Sequence, residues 1–309
     1  MESDLMRYID RESLIRAHHK HMRDAGVKKS DKAFMNTVDD LAERILRMEY
    51  YPRKVWYIKK AKKDGDIRWI AIPSYEDRIV QHVMADVLSN VYKNIFMPCS
   101  YGYRKGRSHT DIEDEIIYHG TRGNLNDVMI ADVQDCMGSV LHEPLMNYLK
   151  REIDDPVFLE YVKRYLDSRK RKETDNKGIP QGSKLASVLI NVYFHYLLDE
   201  FLESVITARC KREVQYFRYV DDMIFLAEHS GDLTRIKKWL KQRLAQVKMK
   251  LSEEKTKTVS MDEPQSMFEF LGVKYCRRAK DGDYYFADEN DLLEEKREYG
   301  MYEFHWKSR

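Results

Sequence analysis

The chain has 309 residues, 43% of them hydrophobic, and a formal net charge of +2, which allows one large or two moderate domains with a sizeable core. Its four cysteines, Cys99, Cys136, Cys210 and Cys276, lie far apart with no C-x-x-C pair, which disfavours a zinc site or a disulfide framework and fits a reducing cytoplasm. Met1 to Asp4 carry no apolar signal core. The longest apolar-rich stretch, Leu185 to Leu198, is interrupted by Ser187, Asn191 and His195, so no membrane span is expected.

The first fifty residues read as helices. Ser30 is a candidate N-cap, and Phe34, Val38, Leu41, Ile45 and Met48 recur at helical spacing until Pro52. Two short strands follow, Lys54 to Ile58 and Ile67 to Ile72, joined by the hairpin signal Lys62-Lys63-Asp64-Gly65. Helical spacing returns from Ile79 to Tyr92. Val128 to Val133 reads as an apolar strand with Asp132 near its end, and Pro144 to Ile153 and Pro156 to Tyr165 as two helices with proline in a tolerated first turn. Gly178 to Phe201 reads as a loop and a long buried helix. Val214 to Ala227 reads as a hairpin with Asp221 and Asp222 at its tip, and Leu233 to Val247 as an amphipathic helix. A short helix is read from Asp291 to Glu298. This order suggests an α+β fold with helices packed on one side of a sheet.

Charge is unevenly distributed. Tyr51 to Thr110 holds 12 Lys and Arg against 5 Asp and Glu, and Tyr161 to Lys177 holds 7 against 3. Such concentration suits either a phosphate-binding groove or a solvated face. The interleaved Tyr51, Trp56, Tyr57, Trp69 and Tyr75 suit either base stacking or a core. Asp221 and Asp222 raise each other's proton affinity unless a cation sits between them, and Asp132 adds a third oxygen-bearing side chain for a hard cation. Magnesium is the natural occupant. Two ions roughly 4 Å apart suit in-line phosphoryl transfer.

The blocks around these acids resemble the reverse transcriptases, within them the bacterial branch of group II intron, retron and defence-associated enzymes. Asp132-Val133-Gln134-Asp135-Cys136-Met137-Gly138-Ser139-Val140 resembles the first catalytic motif and Phe217-Arg218-Tyr219-Val220-Asp221-Asp222 the second. Gly178-Ile179-Pro180-Gln181-Gly182-Ser183 resembles the substrate-positioning loop, with Asn191-Val192-Tyr193 on the helix after it. Ser100-Tyr101-Gly102-Tyr103-Arg104-Lys105-Gly106-Arg107-Ser108 resembles a bacterial fingers block, and Leu251 to Thr256 with Phe270-Leu271-Gly272 the last palm motifs. The resemblance covers roughly Tyr51 to Val273.

It implies a right-hand polymerase with an antiparallel palm sheet. The divisions would be a helical extension at 1–50, fingers at 51–127 with a contribution from 161–190, a palm at 128–276, and a short tail or vestigial thumb at 277–309. It implies two Mg2+, or Mn2+ in their place, on Asp132, Val133, Asp221 and Asp222. Substrate would meet Lys62, Arg68, Asp135, Cys136, Met137, Gln181, Gly182 and Lys255, and nucleic acid would meet Arg104, Arg107, Lys184 and Tyr219. Lys62 and Lys255 as solvated lysines and Gln181 as a turn residue are the structural alternatives.

Two departures stand out. Met137 replaces the family's aromatic wall against a ribose 2′-hydroxyl, and a thioether makes a softer wall. Only 37 residues follow Gly272, short of a three-helix thumb. The resemblance therefore implies a domesticated RNA-directed DNA polymerase using dNTPs, an RNA template or structured noncoding RNA, and a DNA product. A protein partner or second copy would replace the thumb, without a membrane, and anti-phage defence is the expected setting. The alternatives are a template-independent or ribonucleotide-incorporating polymerase and an RNA-binding maturase-like scaffold.

Overall fold

Between Val214 and Ala227 successive side chains must serve two apolar surfaces, because a strand sends neighbours to opposite faces. That requirement organises the fold. The structure, a computed structural model, describes residues 4–24, 32–61, 67–122, 125–169, 175–210, 212–262, 266–280 and 283–287. In chain order the elements are α1 (Arg11–Asp24), α2 (Lys32–Met35), α3 (Val38–Leu46), β1 (Trp56–Ala61), β2 (Ile67–Ile72), α4 (Tyr75–Val91), α5 (His109–Arg122), β3 (Asp127–Ala131), α6 (Cys136–Ser139), α7 (His142–Leu149) and α8 (Pro156–Asp167). Then come α9 (Lys184–Phe194), a π-turn (His195–Asp199), α10 (Glu200–Arg209), β4 (Val214–Tyr219), β5 (Asp222–Ala227), α11 (Ser230–Gln246), β6 (Lys257–Ser260), β7 (Met267–Phe270), β8 (Val273–Lys280) and β9 (Asp283–Ala287).

The central sheet has the order β4-β5-β3-β6, antiparallel throughout. Met129, Ala131, Met223, Phe225 and Ala227 face the larger core, which holds α4, α7, α8, α9 and α11. Val128, Phe217, Ile224 and Leu226 face a second core, where Ile112 and Ile116 of α5 meet Phe268, Phe270 and Tyr275 of the β7-β8-β9 sheet. The palm sheet with a helical layer is thus present, and its other face is covered as well. Two-sided burial explains why β5 reads as a continuous apolar run.

Several boundaries differ from expectation. The continuous helix across Phe34 to Met48 is broken, because the Thr37 N–H and Oγ1 both donate to the Phe34 carbonyl and close a turn before α3. β3 stops at Ala131, leaving Asp132 just past its end. β8 runs through residue 276 to Lys280 and pairs with β9, so the segment expected as a tail from 277 begins as sheet. Ser30, the Lys62–Gly65 turn and the helix from Asp291 lie outside the described residues.

The caps follow local chemistry. The Ser74 hydroxyl accepts from Asp77 N at 3.2 Å, Asp155 accepts from Val157 N and Phe158 N at 3.0 and 2.9 Å, and Ser183 accepts from Ala186 N at 3.2 Å. The helical run Lys184–Arg209 has the length and mean hydropathy, 1.2, of a membrane span, but 89% of that window is buried in the protein. It is the core helix of the fold, running past the stretch Leu185 to Leu198, with Ser187, Asn191 and His195 buried within it.

Candidate active site

A two-residue connection between β4 and β5 leaves Val220 and Asp221 as the turn, with Tyr219 paired to Asp222. Val220 has φ of 62°, a costly conformation for a β-branched residue. β3 pairs with β5 so that Ala131 faces Met223, and the same register carried one residue further sets Asp132 across from Asp222. Asp221 and Asp132 also act together on the buried Cys136 thiol, which burial first, and then these carboxylates, hold well above the usual thiol range. The three acids therefore come from two strands to one end of one sheet.

Lys255 joins them. Its Nζ lies 3.7 Å from Asp132 Oδ2, and the backbone tightens the same corner through Ser252 N donating to Asp132 O at 2.8 Å. Val133, buried, bridges to Leu251, and Gln134 N donates to Lys250 O at 3.0 Å.

The donor set is made of hard carboxylate oxygens, which suits a hard divalent cation. Among the described residues no three His, Cys, Asp or Glu side chains are gathered into a ready-made metal shell. The fit therefore rests on donor type and on the placement of the acids.

After the first acid the chain turns into α6. Asp135 takes a left-handed conformation, φ 42° and ψ 49°, and its carboxylate lies over Gly138, where a Cβ would collide with it. The Met137 carbonyl accepts from Ile179 N at 2.8 Å and the Val140 carbonyl from Gly178 N at 2.7 Å, so α6 anchors the loop that carries Gln181 and Gly182. That loop leans on β2. The Gln181 carbonyl accepts from Ala71 N at 2.8 Å, and Gly182, at φ 120°, lies so close that a Cβ would sit 2.9 Å from Ile70 Cγ2. Met137 is half-buried against the core beside this junction.

Arg68 lies on β2 opposite Lys60, and Lys62 falls outside the described residues. The two tryptophans of the hairpin are not core: Trp56 is 80% and Trp69 49% exposed, with Lys59 Nζ 5.0 Å from the Trp69 ring centre. Tyr219 is half-buried at the turn beside Tyr103, with ring centres 6.2 Å apart.

Three basic residues expected on nucleic acid also have partners within the protein. Arg104 donates to the Met97 and Ser100 carbonyls at 2.9 and 2.7 Å, Arg107 donates to the Pro98 carbonyl and covers the Tyr101 ring, and Lys184 pairs with Asp86. The physical reason is the same for the two arginines. An irregular loop leaves carbonyls that need donors, and guanidinium has five.

Sequence reasoning gave no role to Arg218. It is fully buried behind the turn, with Nε 2.8 Å and Nη2 2.5 Å from the two Asp199 oxygens. Nη1 donates to Asn191 Oδ1 at 2.9 Å and to the Val220 carbonyl at 2.8 Å, and Nη2 to Ser100 Oγ at 3.1 Å. Burial opposes its charge, but Asp199 outweighs that and holds the guanidinium more firmly charged than usual. A charged residue inside Tyr216 to Tyr219 and an acid within an apolar helical run were the available signals.

A two-stranded hairpin leaning on a loop, beside an antiparallel sheet with acids at one end and helices behind, defines the fingers and palm of a right-hand polymerase fold. The family model described as reverse transcriptase (RNA-dependent DNA polymerase) matches residues 58–275, and the chain belongs to that family. An uncharacterized 91 kDa protein in the cob intron of Schizosaccharomyces pombe is 32% identical over 149 residues, covering 47% of this chain and 18% of the relative. The group II intron-encoded protein LtrA of Lactococcus lactis is 23% identical, covering 72% and 47%. The structure of telomerase from Candida albicans with a fragment of telomeric RNA has the same fold at TM-score 0.56 and 13% identity, covering 79% of this chain and 48% of that one. The chain spans less than half the length of each.

Proposed function

We propose that the chain is an RNA-directed DNA polymerase, extending a 3′-hydroxyl with dNTPs on an RNA template. The observation that carries the reading is the register that places Asp132 across from Asp222, with Asp221 on the adjoining turn. Asp132, Asp221 and Asp222, with Val133 beside them, are the residues that would hold two Mg2+, or Mn2+. When bound, these ions supply activation of the attacking hydroxyl and charge neutralisation on the leaving pyrophosphate.

The chain's own residues do the rest. The loop bearing Gln181 and Gly182 spans from α6 to the fingers strand β2, so it can orient a nascent base pair between palm and fingers. Lys255, close to Asp132, brings a cation to the side where negative charge leaves. Lys62 and Arg68 are assigned to the incoming triphosphate from the resemblance of the hairpin, Asp135 and Cys136 border the sugar, and exposed Trp56 and Trp69 offer stacking faces to single-stranded RNA.

The half-buried Met137 favours one second reading, weak rejection of ribonucleotides. A structured RNA and a protein or second copy are the proposed partners. Anti-phage defence rests on the bacterial blocks alone, and the four free thiols accord with a reducing cytoplasm. Primer extension on RNA, on DNA and without template, with dNTPs or rNTPs, tests the reading. DNA made on RNA supports it, and synthesis only without template or only from rNTPs replaces it with the alternatives.

A further inference from the structure

We infer that Arg218 is a positioning residue for catalysis, holding the Val220–Asp221 turn in a strained geometry that sets the two acids, and that the π-turn exists to deliver Asp199 to it. The inference rests on the polymerase reading of this turn.

Val220 sits at φ 62°, where a β-branched side chain clashes with its own backbone. Such a conformation persists only when the surroundings fix it from several sides. Here Arg218 Nη1 holds the Val220 carbonyl from behind. Gly102 closes the other side, near enough that a Cβ there would lie 2.7 Å from Val220 Cγ2 and 2.8 Å from Val220 N. Asn191 ties the two together, its Nδ2 donating to the Gly102 carbonyl at 2.6 Å and its Oδ1 accepting from Arg218 at 2.9 Å. The loop and the strand are joined again by Tyr101 N to Arg218 O at 2.9 Å and Arg218 N to Cys99 O at 2.8 Å. Every donor nitrogen of the guanidinium is therefore used, and one of them ends on the catalytic turn itself.

In an ordinary helix Asp199 would not share a face with Asn191. Eight residues at 3.6 per turn leave two side chains roughly 80° apart. The π-turn His195–Asp199 takes an extra residue per turn and rotates Asp199 back toward the Asn191 face, so both meet Arg218. Within the same turn, buried His195 has neither ring nitrogen in a hydrogen bond, with Nε2 3.6 Å from Glu200 Oε1.

The test separates positioning from simple support of the fold. A buried ion pair can often be replaced by apolar residues of similar volume without loss of stability. The double variant Arg218→Met/Asp199→Leu, and independently Asn191→Leu, are compared with the natural chain by thermal unfolding, by kcat and KM of primer extension, and by Mn2+ binding followed by electron paramagnetic resonance. The double variant also leaves Ser100, Asn191, Val220 and Tyr216 without a partner, so it is expected to lose stability but remain folded, and to lose about a hundredfold in kcat with little change in KM for dNTP. Its Mn2+ affinity is expected to fall about tenfold. Asn191→Leu, which leaves the ion pair in place, is expected to show the same pattern more weakly and covers the case in which the double variant does not fold. Native kcat and native Mn2+ affinity in a folded variant would overturn the inference. Failure of the polymerase reading shows separately, as a natural chain that extends no primer, while Mn2+ affinity still reads the positioning.

Discussion

Val220 is the residue on which the site turns, because its strained φ decides where Asp221 points. The placement of Asp132, Asp221 and Asp222 at one end of a sheet was legible in the sequence from the apolar strands beside them and the ordered motifs around them, although the Asp221-Asp222 pair alone also suits a solvated turn. Arg218 was not, because its meaning lies in four partners drawn from distant segments: Ser100, Asn191, Asp199 and Val220. For Arg104, Arg107 and Lys184 the charge was visible in the sequence, but their partners within the protein, backbone carbonyls and Asp86, were not. At Met137 the prediction follows from size. Met137→Phe places a rigid ring beside the α6–Ile179 junction and should improve discrimination against ribonucleotides by about tenfold. Competitive incorporation of dNTP and rNTP checks it, and unchanged selectivity would remove Met137 from the sugar site.

At the scale of elements, the site is a meeting of a loop, a hairpin and a helix rather than a property of any one of them. The loop Ser100–Arg107 grips the β4–β5 hairpin, and α9 with its π-turn reaches both through Asn191 and Asp199. Periodicity and turn signals predicted β1 to β5 and α9 but not β6 to β9 or the π-turn, since a run buried on every side stays buried when one residue is inserted. Gly102→Ala probes the closest of these contacts. A methyl group there must push against Val220 backbone as well as side chain, and overpacking of this kind costs about 1–3 kcal/mol. Extension should fall further than stability does, as read by rates beside thermal unfolding. Wild-type rates with wild-type stability would mean that the loop yields easily.

Over the whole molecule, the two cores on opposite faces of the sheet explain how a thin layer can carry a strained turn at its edge. Burial is also felt in acid. It lowers the proton affinity of His195, against the pull of Asp199 and Glu200, and of His82, so the folded chain takes up these protons only at lower pH than the unfolded chain, which takes them up below about pH 6.5. Stability should therefore be full above that value and fall as pH drops through it. His195→Leu should lose less stability between pH 7 and 5 than the natural chain, by denaturant unfolding at each pH; an equal loss would place the acid sensitivity elsewhere. The most direct test of the whole account is RNA-templated primer extension with dNTPs and Mg2+, comparing the natural chain with Asp221→Asn/Asp222→Asn. The account predicts DNA product from the natural chain and a fall of at least about a thousandfold in the variant, roughly 4 kcal/mol of transition-state stabilisation. Equal product from both would contradict it.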